Sequence, residues 1–400
     1  MDHDKHLADA FTTWIEPFCQ AFRHKAQRQW APLYLRGLLA PGDRKSIEPM
    51  ASRVAPEDVQ QLHHFVSTSK WDTAPLEDVL LEKADRLVGG DDAHLIIDDT
   101  GIPKKGDHSV GVTHQYCGAV GKQTNSQCLV SVTLARDDVP VPIALRLYLP
   151  KEWAVDAERR ASARVPDSIV FQTKPQMAIA EVRRIIDAGV RFGDVLADAG
   201  YGASYDFRHA LTEMGLRWAV GVMPDQLVYP STVKVRPPPK KTPTTRGAPK
   251  KWGTPLAERQ KAADVFKDLG AKIFRNVSWR RGTKGKLSAK FAAVRVRPAD
   301  GADIGHRVRL PTAEVWLVCE LRGDERRYYL SNYPPDTSLK QLAGVIKARW
   351  ACEQAHQQLK EELGLDHFEG RSWHGLHHHA LLTLIAFGFL QHMRVRENKE

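Results

Sequence analysis

Leu95-Ile96-Ile97-Asp98-Asp99-Thr100-Gly101 is a short apolar run that closes on two acids and a turn pair. Its length and its branched residues read as a buried β-strand with carboxylates at its end. Successive strand side chains point to opposite faces, so Asp99 shares a face with Leu95 and Ile97 while Asp98 takes the other. That facing favours Asp99 as the acid of a site and leaves Asp98 as the alternative.

Working outward, Gln127 to Ala135 and Val141 to Leu149 read as a hairpin turned at Arg136-Asp137-Asp138, which makes three antiparallel strands with the first. A helix is expected from about Pro175, with Ala178, Val182, Ile185 and Ile186 on one stripe and Gly189 as its stop. Val195-Leu196-Ala197-Asp198 is a second short strand ending in acid, followed by a helix from Ser204 to Met214 and a strand from Leu216 to Val222. The order is therefore strand, strand, strand, helix, strand, helix, strand, an α/β pattern.

The flanks have different textures. Residues 1–90 carry Phe11, Trp14, Ile15, Phe18 and Phe22 at helical spacing, and a basic Pro41–Ser46 turn divides two helical stretches. They are expected to form a helical N-terminal domain suited to DNA contact. Residues 91–222 form the first part of a core, and 223–337 a β-rich insertion with strands at Phe291 to Val296, Val315 to Cys319 and Tyr328 to Leu330. Within the insertion, residues 236–255 are rich in Pro, Lys and Arg, as an extended basic loop along a phosphate backbone would be. Residues 338–400 return to helix, opened by Ser338 with Gln341 at capping-box spacing and stopped near Gly364.

On that late helix Arg349, Glu353, His356 and Lys360 follow one another at steps of four, three and four, which is one helix face. The apolar stripe Val345, Ala348, Cys352, Ala355 and Leu359 runs beside it, so Glu353 is expected at the edge of a core. Asp99, Asp198 and Glu353, drawn from separate elements, are an all-oxygen set suited to two Mg²⁺ or Mn²⁺ ions and to in-line phosphoryl transfer.

Composition narrows the alternatives. Apolar residues at 42% and charged residues at 26% describe a folded globular chain rather than a disordered or membrane one. A net charge of +10 suits a polyanionic partner. Five cysteines without a C-x-x-C pair argue against a disulfide framework or zinc knuckle and for a reducing cytoplasm. The N-terminus lacks a signal-type apolar core, and Ala380 to Leu390 is too short to span a bilayer. His374, His377, His378 and His379 lack carboxylates at metal-site spacing and read as structural.

The motifs Ile-Asp-Asp-Thr at 97–100, Leu-Ala-Asp-Ala-Gly-Tyr-Gly at 196–202 and Arg-x3-Glu-x6-Lys at 349, 353 and 360 resemble those of bacterial insertion-sequence transposases of the DDE superfamily. The likeness covers roughly residues 90–390, with Ile346 standing where the family signature has Tyr. It implies an RNase H-like mixed sheet flanked by helices and interrupted by a β-rich insertion, with Asp99, Asp198 and Glu353 as metal ligands. It further implies that Arg349 and Lys360 hold DNA phosphates, that the partners are terminal inverted repeats and target DNA, and that a homodimer forms when ends are paired. Such a protein works on the nucleoid. Lys104 and Lys105 are expected near the DNA backbone and His356 near the chemistry. Trp252 and Trp279 are candidates for stacking on an unpaired base, whereas Trp316, among apolar neighbours, is expected in the core. A domesticated nuclease of the same fold, or a non-catalytic DNA-binding protein, would share these features.

Overall fold

The computed structural model describes residues 2–42, 44–238, 251–282, 285–305 and 308–397. Most of the Pro-rich basic loop therefore lies outside the described residues. The chain divides into two compact units, Met1–Gly193 with Trp350–Glu400, and Asp194–Arg349.

The first unit opens with helices α1 (Asp2–Ala21), α2 (Lys25–Leu39), α3 (Ile47–Val54), α4 (Val59–His63), a π-helical turn at His64–Thr68, and α5 (Ala74–Val88). Strands β1 (His94–Pro103), β2 (Thr113–Cys117), β3 (Lys122–Arg136) and β4 (Val139–Leu147) follow. β3 pairs antiparallel with β1, β2 and β4, so the expected three-stranded meander is present with β2 added as a short ribbon on β3. Two short helices, α6 (Lys151–Val155) and α7 (Ala157–Ser162), lead to α8 (Lys174–Asp187). Thr173 and Gln176 close a capping box at its start, and Gly189 follows its end at φ 75°, where a side chain would be strained.

The second unit begins with β5 (Asp194–Ala197), the single turn α9 (Ala199–Gly202), α10 (Tyr205–Glu213) and β6 (Arg217–Val222). β5 and β6 are parallel, the crossover between them being helical as parallel pairing requires. The small strands β7 (Leu227–Pro230), β8 (Val235–Arg236), β9 (Thr254–Pro255) and β10 (Gln260–Lys261) precede α11 (Ala262–Leu269), then β11 (Arg275–Gly282), β12 (Gly285–Pro298), β13 (Val315–Arg322), β14 (Glu325–Ser331) and α12 (Leu339–Ala348). β14 pairs antiparallel with β6, and β13, β12 and β11 continue outward, so residues 223–337 extend the sheet begun by β5 and β6. Glu320 on β13 is 1% exposed, an expensive place for a carboxylate without partners. It has them in Lys347 Nζ of α12 at 2.8 Å and the Tyr329 hydroxyl at 3.1 Å, which ties the helix to the sheet.

The chain returns to the first unit with α13 (Trp350–Glu361) and α14 (Trp373–Glu397). The late helix expected as one piece is thus assigned as two, separated at Arg349, while the Ser338 cap and the Gly364 stop are found where expected. α14 is buried almost all round: Trp14 of α1 donates to the Ile385 carbonyl at 3.1 Å and Phe11 meets Phe389 edge to face. The N-terminal helices share one core with α13, α14 and the β-sheet residues Ile102, Leu129, Leu145 and Leu147. Burial of such side chains supplies about 1.5–3 kcal/mol each. No described helix is long and apolar enough to cross a membrane. The fold is α/β, an RNase H-like mixed sheet flanked by helices.

One ionic cluster fastens α5 and α8 to the sheet. Arg146 of β4 donates to Glu181 through Nε at 2.8 Å and to Glu77 through Nη1 at 2.8 Å, and Arg184 donates to Glu181 at 2.9 Å. Burial pushes the Glu77 carboxyl up, but the hydrogen bonds and charge of Arg146 outweigh it and bring the pKa down from 4.5 to about 2. Its stabilisation is therefore complete above the unfolded carboxyl pKa and is lost as pH falls through about 2. Replacing Arg146 with Met leaves Arg184 as the one cation shared by two buried carboxylates and should cost about 3 kcal/mol in urea unfolding at neutral pH. The gap between variant and wild type should narrow on acidification toward that range.

Candidate active site

The two acids of β1 fall on different layers. Asp98 lies opposite Ser131 of β3 and Asp99 opposite Val130, and directly opposed residues project to the same face. Ser131 Oγ is 2.7 Å from His356 Nε2 of α13, and Thr133 Oγ1 donates to Cys352 Sγ of the same helix at 3.7 Å. The face of Asp98 is therefore the face that α13 covers. Ser131 also donates to the Asp98 main-chain carbonyl at 3.0 Å, so β1, β3 and α13 are joined through one hydroxyl.

Asp99 looks the other way, toward the start of α8. Lys174 Nζ donates to Asp99 Oδ2 at 2.6 Å, both side chains being about 30% exposed (31% and 29%). Burial works against the Lys174 charge, yet Asp99 and the neighbouring Cys128 more than offset it, so the ammonium is held more tightly than usual. The Cys128 thiol is pushed up to about 12, by burial first and then by the Asp99 charge. Asp99 thus already has a cation in close contact.

Glu353 is exposed in the first turn of α13, where the helix dipole favours a carboxylate, and its neighbours Cys352 and Ala355 are fully buried. It stands at a core edge, as its spacing led one to expect. His356 does not join it on the exposed face: it is 7% exposed and spends Nε2 on Ser131. This side chain ties helix to sheet from within and is not exposed to meet DNA. Lys360 is half-buried, and burial lowers its pKa although Asp366 opposes the shift. Lys104 donates to the Phe368 carbonyl at 2.7 Å, and its neighbour Lys105 is exposed.

In the second unit Asp198 follows β5 and caps α9: its Oδ1 accepts from the Gly200 N–H at 2.9 Å and the Tyr201 N–H at 3.4 Å. Those bonds fix the carboxylate at the strand end. The turn lies hard against β6, since a Cβ on Gly202 would stand 1.9 Å from the Gly221 carbonyl. Arg349 is half-buried where α12 ends. Among the described residues, neither unit on its own gathers three His, Cys, Asp or Glu side chains into a group that could hold a metal ion.

The remaining aromatic and histidine candidates are settled locally. Trp316 is half-buried with the Arg295 guanidinium 5.0 Å from its ring, Trp279 meets Phe291 edge to face, and Trp252 is 42% exposed. His377 is half-buried and His378 and His379 are buried, with pKa values lowered to about 4 by burial; their ring nitrogens meet main-chain carbonyls, except that His377 Nε2 accepts from the Leu147 N–H and His379 Nδ1 pairs with the Tyr34 hydroxyl.

The chain is 27% identical over 335 residues to a protein of Microchaete diplosiphon described as a probable transposase for insertion sequence element IS701, covering 83% of this chain and 74% of that one. The family model described as DDE superfamily endonuclease matches residues 17–286, which include Asp98, Asp99 and Asp198 and stop short of Glu353. That match takes in more than half of the chain and both acidic strand ends, and the protein belongs to the DDE superfamily of endonucleases.

Proposed function

We propose that this endonuclease is a DNA transposase, which hydrolyses a phosphodiester at the ends of a mobile element and then joins the freed 3′-hydroxyl to target DNA. What supports the reading most is the layer in which the face of Asp98 meets α13, the helix on which Glu353 stands. The relative described as a transposase points the same way.

In this reading Asp198 and Glu353 are two of the metal ligands, and the third comes from the Asp98–Asp99 pair. Asp99, favoured by sequence facing, is held by Lys174, while Asp98, whose Oδ1 accepts from the Asp99 N–H at 2.8 Å, lies on the face that α13 covers, and for that shared face we take Asp98 as the ligand. The donor set is all carboxylate oxygen, which fits hard divalent cations. Two Mg²⁺ or Mn²⁺ ions bound there would activate the attacking hydroxyl and neutralise charge on the leaving oxygen. The protein's own part is to orient the scissile phosphate. Arg349, Lys360 and the exposed Lys105 are the cations for the flanking phosphates in this reading, and Lys104 is held to the Phe368 carbonyl. His356 and Ser131 keep α13 seated on β3, so that Glu353 does not swing away from the strand. Strand transfer repeats the same displacement with a different nucleophile, and pairing two ends calls for at least a dimer.

Wild-type protein given Mg²⁺ or Mn²⁺ should cut a plasmid carrying the coding sequence with its native flanks, and should insert the released end into a second plasmid. Excess chelator should abolish both reactions. Glu353→Gln should lower cleavage by about a thousandfold, some 4 kcal/mol of barrier, while DNA retention in a gel-shift assay persists. Cleavage at the normal rate in this variant would refute the assignment, and cutting without joining would reduce the reading to a nuclease.

Asp98→Asn should lose cleavage as severely as Glu353→Gln. Asp99→Asn should keep measurable activity and chiefly loosen Lys174, seen as a lowered Lys174 pKa by NMR. The reverse ranking of the two activities would return the ligand role to Asp99.

A further inference from the structure

The ribbon of β2 and the start of β3 has no role in the chemistry above, yet its surface is unusual. β2 pairs with β3 in the register His114↔Asn125 and Tyr116↔Gln123, so these four side chains form a two-by-two block on one face. Tyr116 is 66% exposed and Val120, in the connecting turn, is 44% exposed. His114 and Gln123 are exposed and Asn125 is half-buried. The other face is used for packing: Gln115 donates to the Ser126 carbonyl at 2.9 Å and Cys117 is 1% exposed. At the ribbon's base the Thr113 hydroxyl donates to Glu152 at 2.7 Å.

Charge selects the partner. Between Thr100 and Ala135 the only carboxylate is Asp107, against Lys104, Lys105 and Lys122 and the histidines 108 and 114. The Lys104 N–H donates to the Asn125 carbonyl at 2.8 Å, which places the basic Lys104-Lys105 turn at the ribbon's foot. The four side chains of the block are amide, imidazole and phenol with no carboxylate among them, Glu152 being the acid at the ribbon's base, and with the lysines at its foot and turn the face matches a nucleic-acid groove: Asn and Gln pair with base edges, and a two-stranded ribbon fits the major groove.

We propose that the ribbon face of His114, Tyr116, Gln123 and Asn125 is a DNA-reading element that contacts bases beside the cleavage point. The inference rests on the transposase reading for what lies at that point. β3 is one continuous strand from Lys122 to Arg136, so its length sets the reach. Eight residues separate Gln123 from Ser131, the partner of Asp98. At about 3.4 Å per residue the block lies within about 27 Å of the acid along the strand. At about 3.4 Å per base-pair step, that confines its contacts to about eight base pairs from the cut phosphate.

The test uses the full-length protein with duplexes randomised on both sides of the cleavage point mapped for the wild type. The double variant Tyr116→Ala, Gln123→Ala should bind duplex about tenfold more weakly and lose base preference inside that window, with an unchanged melting temperature. Gln123→Glu, which adds only a surface charge, should weaken binding in the same direction and serves if the double variant fails to fold. Unchanged preference and affinity, in a protein whose wild type cuts DNA, would overturn the ribbon's role. A shift of oligomeric state without DNA and with preference intact would overturn it in favour of a protein interface. A wild type that neither binds nor cuts duplex would overturn the transposase reading and this inference with it.

Discussion

The apolar run of β1 is buried on both faces, and the placing of its two acids depends on that constraint. Leu95, Ile96 and Ile97 have no exposed surface, so neither side of the strand is a solvent side onto which an acid can be discarded. Two adjacent carboxylates must then enter two different layers. Asp99 is accommodated by Lys174 at the start of α8, which compensates its charge at the cost of occupying it. Asp98 enters the layer of α13, where Ser131 links its own carbonyl to His356. The two acids therefore lie in different layers, and Asp98 is the one in the layer of α13.

The same economy recurs in the second unit. Asp198 at the end of β5 is fixed by two main-chain N–H groups, and glycines at 202 and 221 let the capped turn approach β6. Farther along the sheet, Glu320 and Lys347 fasten α12 to β13 through a buried pair. Removing one member of such a pair is far more damaging than replacing both, because the survivor keeps its desolvation cost.

Much of this was legible in the sequence. The order of the core strands, the cap at Ser338 and the glycine stops at 189 and 364 depend on local chemistry that a short window contains. The family motifs were legible because they are strings. What was not legible is which layer each face of β1 meets. A run that is apolar on both faces has no period-two asymmetry, so Leu95 and Ile97 could not say where α13 would pack. The burial of His356 was not legible for a related reason: a histidine on a polar stripe looks exposed until Ser131, 225 residues away in sequence, arrives to receive it. Lys174, likewise, has no local signal that it will meet Asp99. The ribbon of β2 was passed over because five residues with alternating polarity leave too little pattern to read.

The most direct test of the central claim, that Asp98 and not Asp99 faces the chemistry, is a crystal structure grown with Mn²⁺ and an anomalous difference map. Mn²⁺ density within bonding distance of an Asp98 carboxylate oxygen, with the Lys174–Asp99 pair intact, is the predicted result. Density on Asp99, with Lys174 displaced from it, would contradict the account.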